Sequence, residues 1–198
     1  MRLSIISLLF IICSNSFGQT NSYQNLLDTA LSGHGGLFVH SKPLKVTRLA
    51  PTEMWYYVEN VRDYSNRKLD TVMFSQIIYN ADHADTTLWT DKELSKSLLL
   101  NERGETISKK YSLQKLGLTE DKQIRLIKKQ VNKFNSTQTI DRSLCYFSRP
   151  VFDNSNTFAI VQWDNGHSYL GGGGGIILYQ MQSDKTWREY GTILNCRY

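Results

Sequence analysis

The last third of the chain is the part that most narrows the fold. Four segments, Leu144–Phe152, Thr157–Trp163, Gly175–Gln182 and Trp187–Cys196, are rich in β-branched and aromatic residues, the types that fit a pleated, half-buried surface. Asp153-Asn154-Ser155-Asn156 separates the first two, and Ser183-Asp184-Lys185-Thr186 the last two. Such short runs of turn-forming residues predict two antiparallel hairpins. Pro150 has no backbone donor and predicts an edge or a bulge within the first segment. The expected architecture is α+β, a curved antiparallel sheet with one main amphipathic helix packed on it.

That helix is predicted over Thr119–Phe134. Thr119 is suited to the N-cap, and Glu120 and Asp121 follow where the helix dipole favours acids. Ile124, Ile127, Val131 and Phe134 fall on one face, with Lys122, Arg125, Lys128, Lys129 and Lys133 opposite. Between Arg103 and Lys133 there are nine basic residues against three acidic ones, whereas the whole chain carries +5. The basicity is therefore local. Lys122, Arg125 and Lys129 are candidate contacts to an anionic surface; a solvated helix face is the plainer reading.

Elsewhere, Tyr23–Leu31 reads as a short helix stopped by Ser32-Gly33-His34-Gly35-Gly36. Val46–Leu49 and Met54–Val61 read as strands, the second because Met54-Trp55-Tyr56-Tyr57-Val58 is rich in β-formers. Thr86–Trp89 and Ser97–Leu100 are short strand candidates flanking a turn at Asp91-Lys92-Glu93, and Val72–Tyr79 fits helix and strand equally.

The N-terminus reads as an address. Met1-Arg2 precedes the apolar run Leu3–Cys13, and Ser16-Phe17-Gly18 offers a small-x-small cleavage site. The run is shorter than the roughly 20 residues of a membrane span. The expectation is a signal peptide over 1–18, cut after Gly18, then a single α+β domain over 19–198, periplasmic or extracellular, with no transmembrane span in the mature chain. Ile12 argues against lipid attachment at Cys13, because the lipoprotein pattern has a small residue there. Cys145 and Cys196 remain after cleavage. An oxidising compartment suggests a disulfide between them, and two buried thiols are the alternative. If the four strands run in order, the two cysteines lie on outer strands, which strains the disulfide reading.

Three constellations are candidates for chemistry. Gly171, Gly172, Gly173, Gly174 and Gly175 read as a loop whose bare amides could cradle an anion or a peptide backbone. Asp164 and His167 beside it are the candidate catalytic pair of a hydrolase. Ser168 adds a nucleophile type, but neighbours on one loop rarely converge and no GxSxG elbow exists. Asp82, His83 and Asp85 are candidate metal ligands that would need His34, His40 or His167 to complete a set; a polar turn explains them as well. No dinucleotide or P-loop motif is present, so no cofactor is expected. Aromatic residues make up 12% of the chain, and Trp55-Tyr56-Tyr57 could serve either core or recognition.

Phe147-Ser148-Arg149-Pro150-Val151-Phe152, Ala159-Ile160-Val161, the glycine run, Ile177-Leu178-Tyr179 and Trp187 resemble a recurrent block in exported proteins of Gram-negative bacteria that have no assigned activity. The resemblance covers about residues 144–190 and implies an address and a fold. Many relatives carry cysteines among these glycines, and Tyr169–Gly175 has none. The strand-turn-strand-Trp ending also resembles the small cone-shaped α+β domains of the nuclear-transport-factor-2-like type, as fold analogy only. The favoured functional reading is a non-enzymatic binding or interaction module whose partner is a protein or an envelope component. Hydrolysis at Asp164 and His167 is the runner-up, and binding of an anionic envelope through the 119–134 helix the third. Nucleic acid is disfavoured for an exported chain.

Overall fold

The structure is a computed structural model that describes residues 22–33, 38–46, 49–90, 92–94, 97–100, 145–168 and 171–197. It is α+β. Helices α1 (22–33), α2 (Met54–Ser65) and α3 (Thr71–Asp82) pack on a sheet of seven strands. These are β1 (Phe38–His40), β2 (Leu98–Leu100), β3 (Cys145–Phe147), β4 (Val151–Phe152), β5 (Phe158–Ser168), β6 (Gly171–Met181) and β7 (Trp187–Arg197). The order is β2-β1-β3-β5-β6-β7, with β4 also on β5.

Both predicted hairpins form. Val151 pairs with Ile160, and Met181 with Trp187. In the first turn the buried Asp153 carboxylate accepts from the Thr157 and Phe158 amides (2.9 Å each), while Asn156 takes a left-handed φ of 56°. In the second, Asp184 accepts from the Thr186 amide at 3.0 Å. The sheet departs from the antiparallel expectation at its other end, because β1 pairs in parallel with both β2 and β3. The predicted helix over Thr119–Phe134, with Lys122, Arg125 and Lys129, lies outside the described residues, as does the signal peptide expected over 1–18.

Alternation along the strands feeds two cores. Ala159, Val161, Ile177, Tyr179 and Trp187 belong to one, with Leu26, Leu27, Ala30 and Leu31 of α1. Ile160, Ile176, Leu178 and Ile193 belong to the other, with Tyr57 and Val61 of α2 and Met73, Phe74, Ile77 and Ile78 of α3. A strand covered on both faces reads as a continuous apolar run, as Ala159-Ile160-Val161 does.

Met54–Val61 is helix rather than the expected strand. Its buried positions, Tyr57 and Val61, lie four apart, and half-buried Met54 and Val58 flank them. Helical burial against the sheet outweighs the β-propensity of Trp55-Tyr56-Tyr57. Pro51 starts the preceding 3-10 turn, and Asn66 closes α2 in the left-handed region, its N–H donating to the Arg62 carbonyl. Val72–Tyr79 resolves to α3, capped by Asp70, which accepts from the Val72 and Met73 amides. Val46 and Leu49 are not in a strand; the strand-like contact there is a bridge from Leu44 to Ser148. Thr86–Trp89 is not strand either, although the Trp89 amide donates to the Ser41 carbonyl at 2.8 Å.

Helix α2 also closes the outer edge of β7. Two register shifts leave Ile193 and Tyr190 as extra residues in β7, and such bulges bend and twist a strand. Asn60 Nδ2 donates to the Ile193 carbonyl at 2.7 Å, and Arg67 donates to the Glu189 and Tyr190 carbonyls at 3.3 Å. Gly191 admits the helix, since a Cβ there would stand 2.8 Å from Ser65 Oγ and 3.2 Å from Val61 Cγ1.

The glycine run is not a loop. Gly171–Gly175 open β6, paired with β5 on one side and, from Gly173, with β7 on the other. A Cβ at Gly175 would stand 2.6 Å from the Leu194 carbonyl oxygen, and Trp163 across the ladder lies 3.4 Å from it. An aromatic thus covers a glycine on the neighbouring strand. Gly175→Ala is expected to cost about 1–3 kcal/mol through backbone displacement. Gly33→Ala, with nothing within 4 Å, should stay within about 0.5 kcal/mol of the parent. Denaturant melts of the two variants check the contrast.

Candidate functional site

The break between β3 and β4 is built by Ser148-Arg149-Pro150. Ser148 keeps the ladder satisfied, its Oγ accepting from the Gln162 amide and its N–H donating to the Gln162 carbonyl, both at 2.8 Å. The Arg149 side chain, 11% exposed, turns toward residues 85–94 and α1. It donates to both Glu93 carboxylate oxygens, to Tyr23 Oη (3.3 Å), to Thr87 Oγ1 and to the Thr87 and Leu88 carbonyls (3.2 Å each). Asp85 Oδ2 lies 3.4 Å from Nε, and the guanidinium stands 4.5 Å over the Trp89 ring. An arginine has five N–H donors and no acceptor, and here all three nitrogens face acceptors of the protein.

The surroundings fix the ionisation of this clasp. Burial works against the Glu93 charge, but hydrogen bonds from Arg149 and Thr90 outweigh it, so its carboxyl titrates below the usual range. Hydrogen bonds from the Thr87 amide and hydroxyl lower the Asp85 carboxyl in the same way. Burial raises the Tyr23 phenol.

Two open clefts share Asn80, and the clasp walls the first of them. One, of about 460 Å³, is lined by Tyr23, Asn80, Asp85, Glu93, Arg149 and Phe152. The other, of about 500 Å³, lies along α3 and is lined by Val72, Gln76, Tyr79, Asn80 and Asn154. Asn80 borders both and ties α3 to the sheet, its Nδ2 donating to the Phe152 carbonyl at 2.8 Å and to Asn154 Oδ1 at 3.4 Å. That bond and the missing donor of Pro150 blunt the β4 edge against an added strand.

Most of the exposed large apolar side chains lie on α2 and α3. Among the described residues six large ones are exposed; Trp55, Tyr56 and Tyr64 sit on α2, Val72 and Tyr79 on α3, and Leu88 beside the clasp. Residues 51–85 hold six acidic and three basic residues, a local net charge of −3 in a chain of +5.

No family model, curated protein or solved structure matches the chain. The site therefore rests on its own geometry. Asp164 lies in the β5 ladder between Tyr146 of β3 and Gly174 of β6. The His40 ring stacks on Tyr146 at 4.9 Å, and burial, with the Asp164 charge adding to it, raises the Tyr146 phenol. His167 is a backbone member of β5, and its side chain lies outside the described residues. Asp82, His83 and Asp85 diverge. His83 Nδ1 lies 3.1 Å from the Tyr79 carbonyl and its ring 5.0 Å from the Tyr79 ring, whereas Asp85 accepts from Thr87 and pairs with Arg149. Among the described residues no His, Cys, Asp and Glu group of three could hold a metal.

The Cys145 thiol donates to Asn165 Oδ1 at 3.0 Å, and burial pushes it up to about 11. Position 196 lies on β7, with β5 and β6 between it and β3. Three ladder spacings make about 14 Å in a flat sheet, against the about 4.4–6.8 Å between the Cα atoms of a disulfide. Arg149, Glu93 and Tyr23 were not singled out in the sequence as a site, although a basic residue wedged between Ser148 and Pro150 at a strand break was a visible signal.

Both clasp carboxyls have folded values below their unfolded ones. Their stabilisation is therefore complete above the ordinary carboxylate range and is lost as the pH falls through the depressed folded values. Glu93→Gln is expected to cost about 1–3 kcal/mol at neutral pH, because it leaves a largely buried guanidinium under-paired. It should also flatten the acid limb of a Tm-against-pH curve.

Proposed function

We propose that the protein is an exported, non-catalytic binding module that recognises its partner through the outer face of α2 and α3. The observation that carries this reading is the concentration of exposed aromatic and apolar side chains there, Trp55, Tyr56, Tyr64, Val72 and Tyr79. Exposed apolar surface of this kind marks interaction sites, and Trp and Tyr dominate the energetics of protein recognition. The neighbouring α3 clefts give the face relief into which a partner's side chains fit.

Export is supported by the positive, apolar and small-residue segments of residues 1–18 and by the resemblance of residues 144–190 to exported proteins. No helix among the described residues is long and apolar enough to cross a membrane. The mature chain is expected to begin at Gln19, which an intact mass of protein recovered from outside the cytoplasm checks.

The binding face is tested by placing a photoreactive benzoylphenylalanine at position 76, beside Tyr79, in cells that make the protein. Ultraviolet irradiation should yield a discrete adduct. Combining Trp55→Ser with Tyr79→Ser should abolish it while leaving Tm within about 3 °C, as exposed substitutions generally do. An adduct that persists in the double variant sinks the reading.

A further inference from the structure

We infer that the groove along α3 seats an extended, basic peptide segment, with a Lys or Arg side chain held at Asp85 and Glu93 and an apolar residue against Val72 and Tyr79. The inference rests on the reading of the α2–α3 face as a docking surface and names the chemistry of what docks there.

Charge is the first argument. Asp85, Glu93 and Arg149 line or border one cleft, and together they carry one negative charge. Arg149 cannot answer an anionic ligand, because its nitrogens already face Glu93, Asp85, Tyr23, Thr87 and Leu88. The carboxylates also accept from Thr87 and Thr90, and the capacity left, at Asp85 Oδ1 and Glu93 Oε1, is that of an acceptor, which suits an ammonium or a guanidinium. Residues 51–85, which include α3 and Asp85, carry a net charge of −3 in a basic chain, and that sign favours a basic segment at this cleft.

Shape and chemistry supply the rest. The apolar half, with Val72 71% and Tyr79 68% exposed, would stay uncovered by a free amine or a bare cation. A peptide fills both halves, since the two clefts meet at Asn80. Tyr23 and Phe152 line one cleft and Tyr79 the other, and aromatic rings beside a cation add attraction. Because the β4 edge is blunted by Pro150 and by the Asn80 bond to the Phe152 carbonyl, the peptide is recognised by its side chains rather than by strand addition.

The test is fluorescence anisotropy of the mature protein with a fluorescein-labelled Gly-Leu-Ser-Lys-Lys-Gly peptide and its acetyl-lysine twin. The lysine peptide should bind about fivefold more tightly, the size of effect that partly exposed charge pairs and cation–π contacts supply, and the preference should fade with salt. Asp85→Asn should bring the two affinities together. Gln76→Lys, which leaves the clasp untouched, should reduce binding of the lysine peptide by a similar factor. Equal affinities for the unmodified protein overturn the inference. If neither peptide binds while the cross-linked adduct at position 76 persists in the unmodified protein, the basic-peptide inference falls and the docking face stands. If the lysine preference holds while the adduct survives Trp55→Ser with Tyr79→Ser, the broad face falls and the groove stands.

Discussion

One cation organises the region where the layers of this molecule meet. Arg149 leaves the sheet at the break between β3 and β4, and it reaches Tyr23 of α1 and the Thr87–Glu93 segment together. A guanidinium suits this task because its planar fork can serve several acceptors from a fixed orientation while its face rests on an indole. Here that indole is Trp89, itself buried in the α1-side core. Remove the charge pairing and the segment that carries Asp85, Thr87, Leu88 and Glu93 loses its main polar attachment to the sheet. The clasp is thus both a fastening and the wall of a cleft.

The legible part of the fold was the part governed by local rules. Turn chemistry at Asp153–Asn156 and Ser183–Thr186 named two hairpins, and the break at Pro150 was visible as a missing donor. Met54–Val61 was misleading for a tertiary reason: Trp55 and Tyr56 look like strand residues, but they stand outward on a helix whose inward positions are Tyr57 and Val61. The parallel pairing of β1 with β2 and β3 was illegible because three-residue strands far apart in sequence carry no register signal of their own. The clasp escaped notice because its members are spread from Tyr23 to Arg149, and only the folded sheet gathers them.

The glycine run shows how a sequence feature can be read for the wrong property. Five successive glycines suggest freedom of φ, and hence a loop. What the structure uses is the absence of Cβ atoms: Gly175 lies against the Leu194 backbone and Gly174 against Trp163 and Asp164. Neighbouring strands and an aromatic ring supply the order that the glycines themselves lack. The consequence for Asp164 is a position in a paired ladder, beside Tyr146 and His40, and not on a hairpin tip.

The sheet's order also dictates when the molecule can form. Its centre and one edge, β3 to β7, come entirely from residues 145–197, whereas the helices that cover both faces come from residues 22–82. The three long strands are joined by short connections and can pair soon after they are made. Among the described residues, those strands supply most of the apolar surface on which the helices rest. A chain synthesised from its N-terminus must therefore keep Leu26, Leu27, Phe74 and Ile77 exposed until its final quarter emerges. Collapse is then expected to be late and nearly simultaneous across both cores. Holding back the template strands to the end of synthesis is a built-in delay.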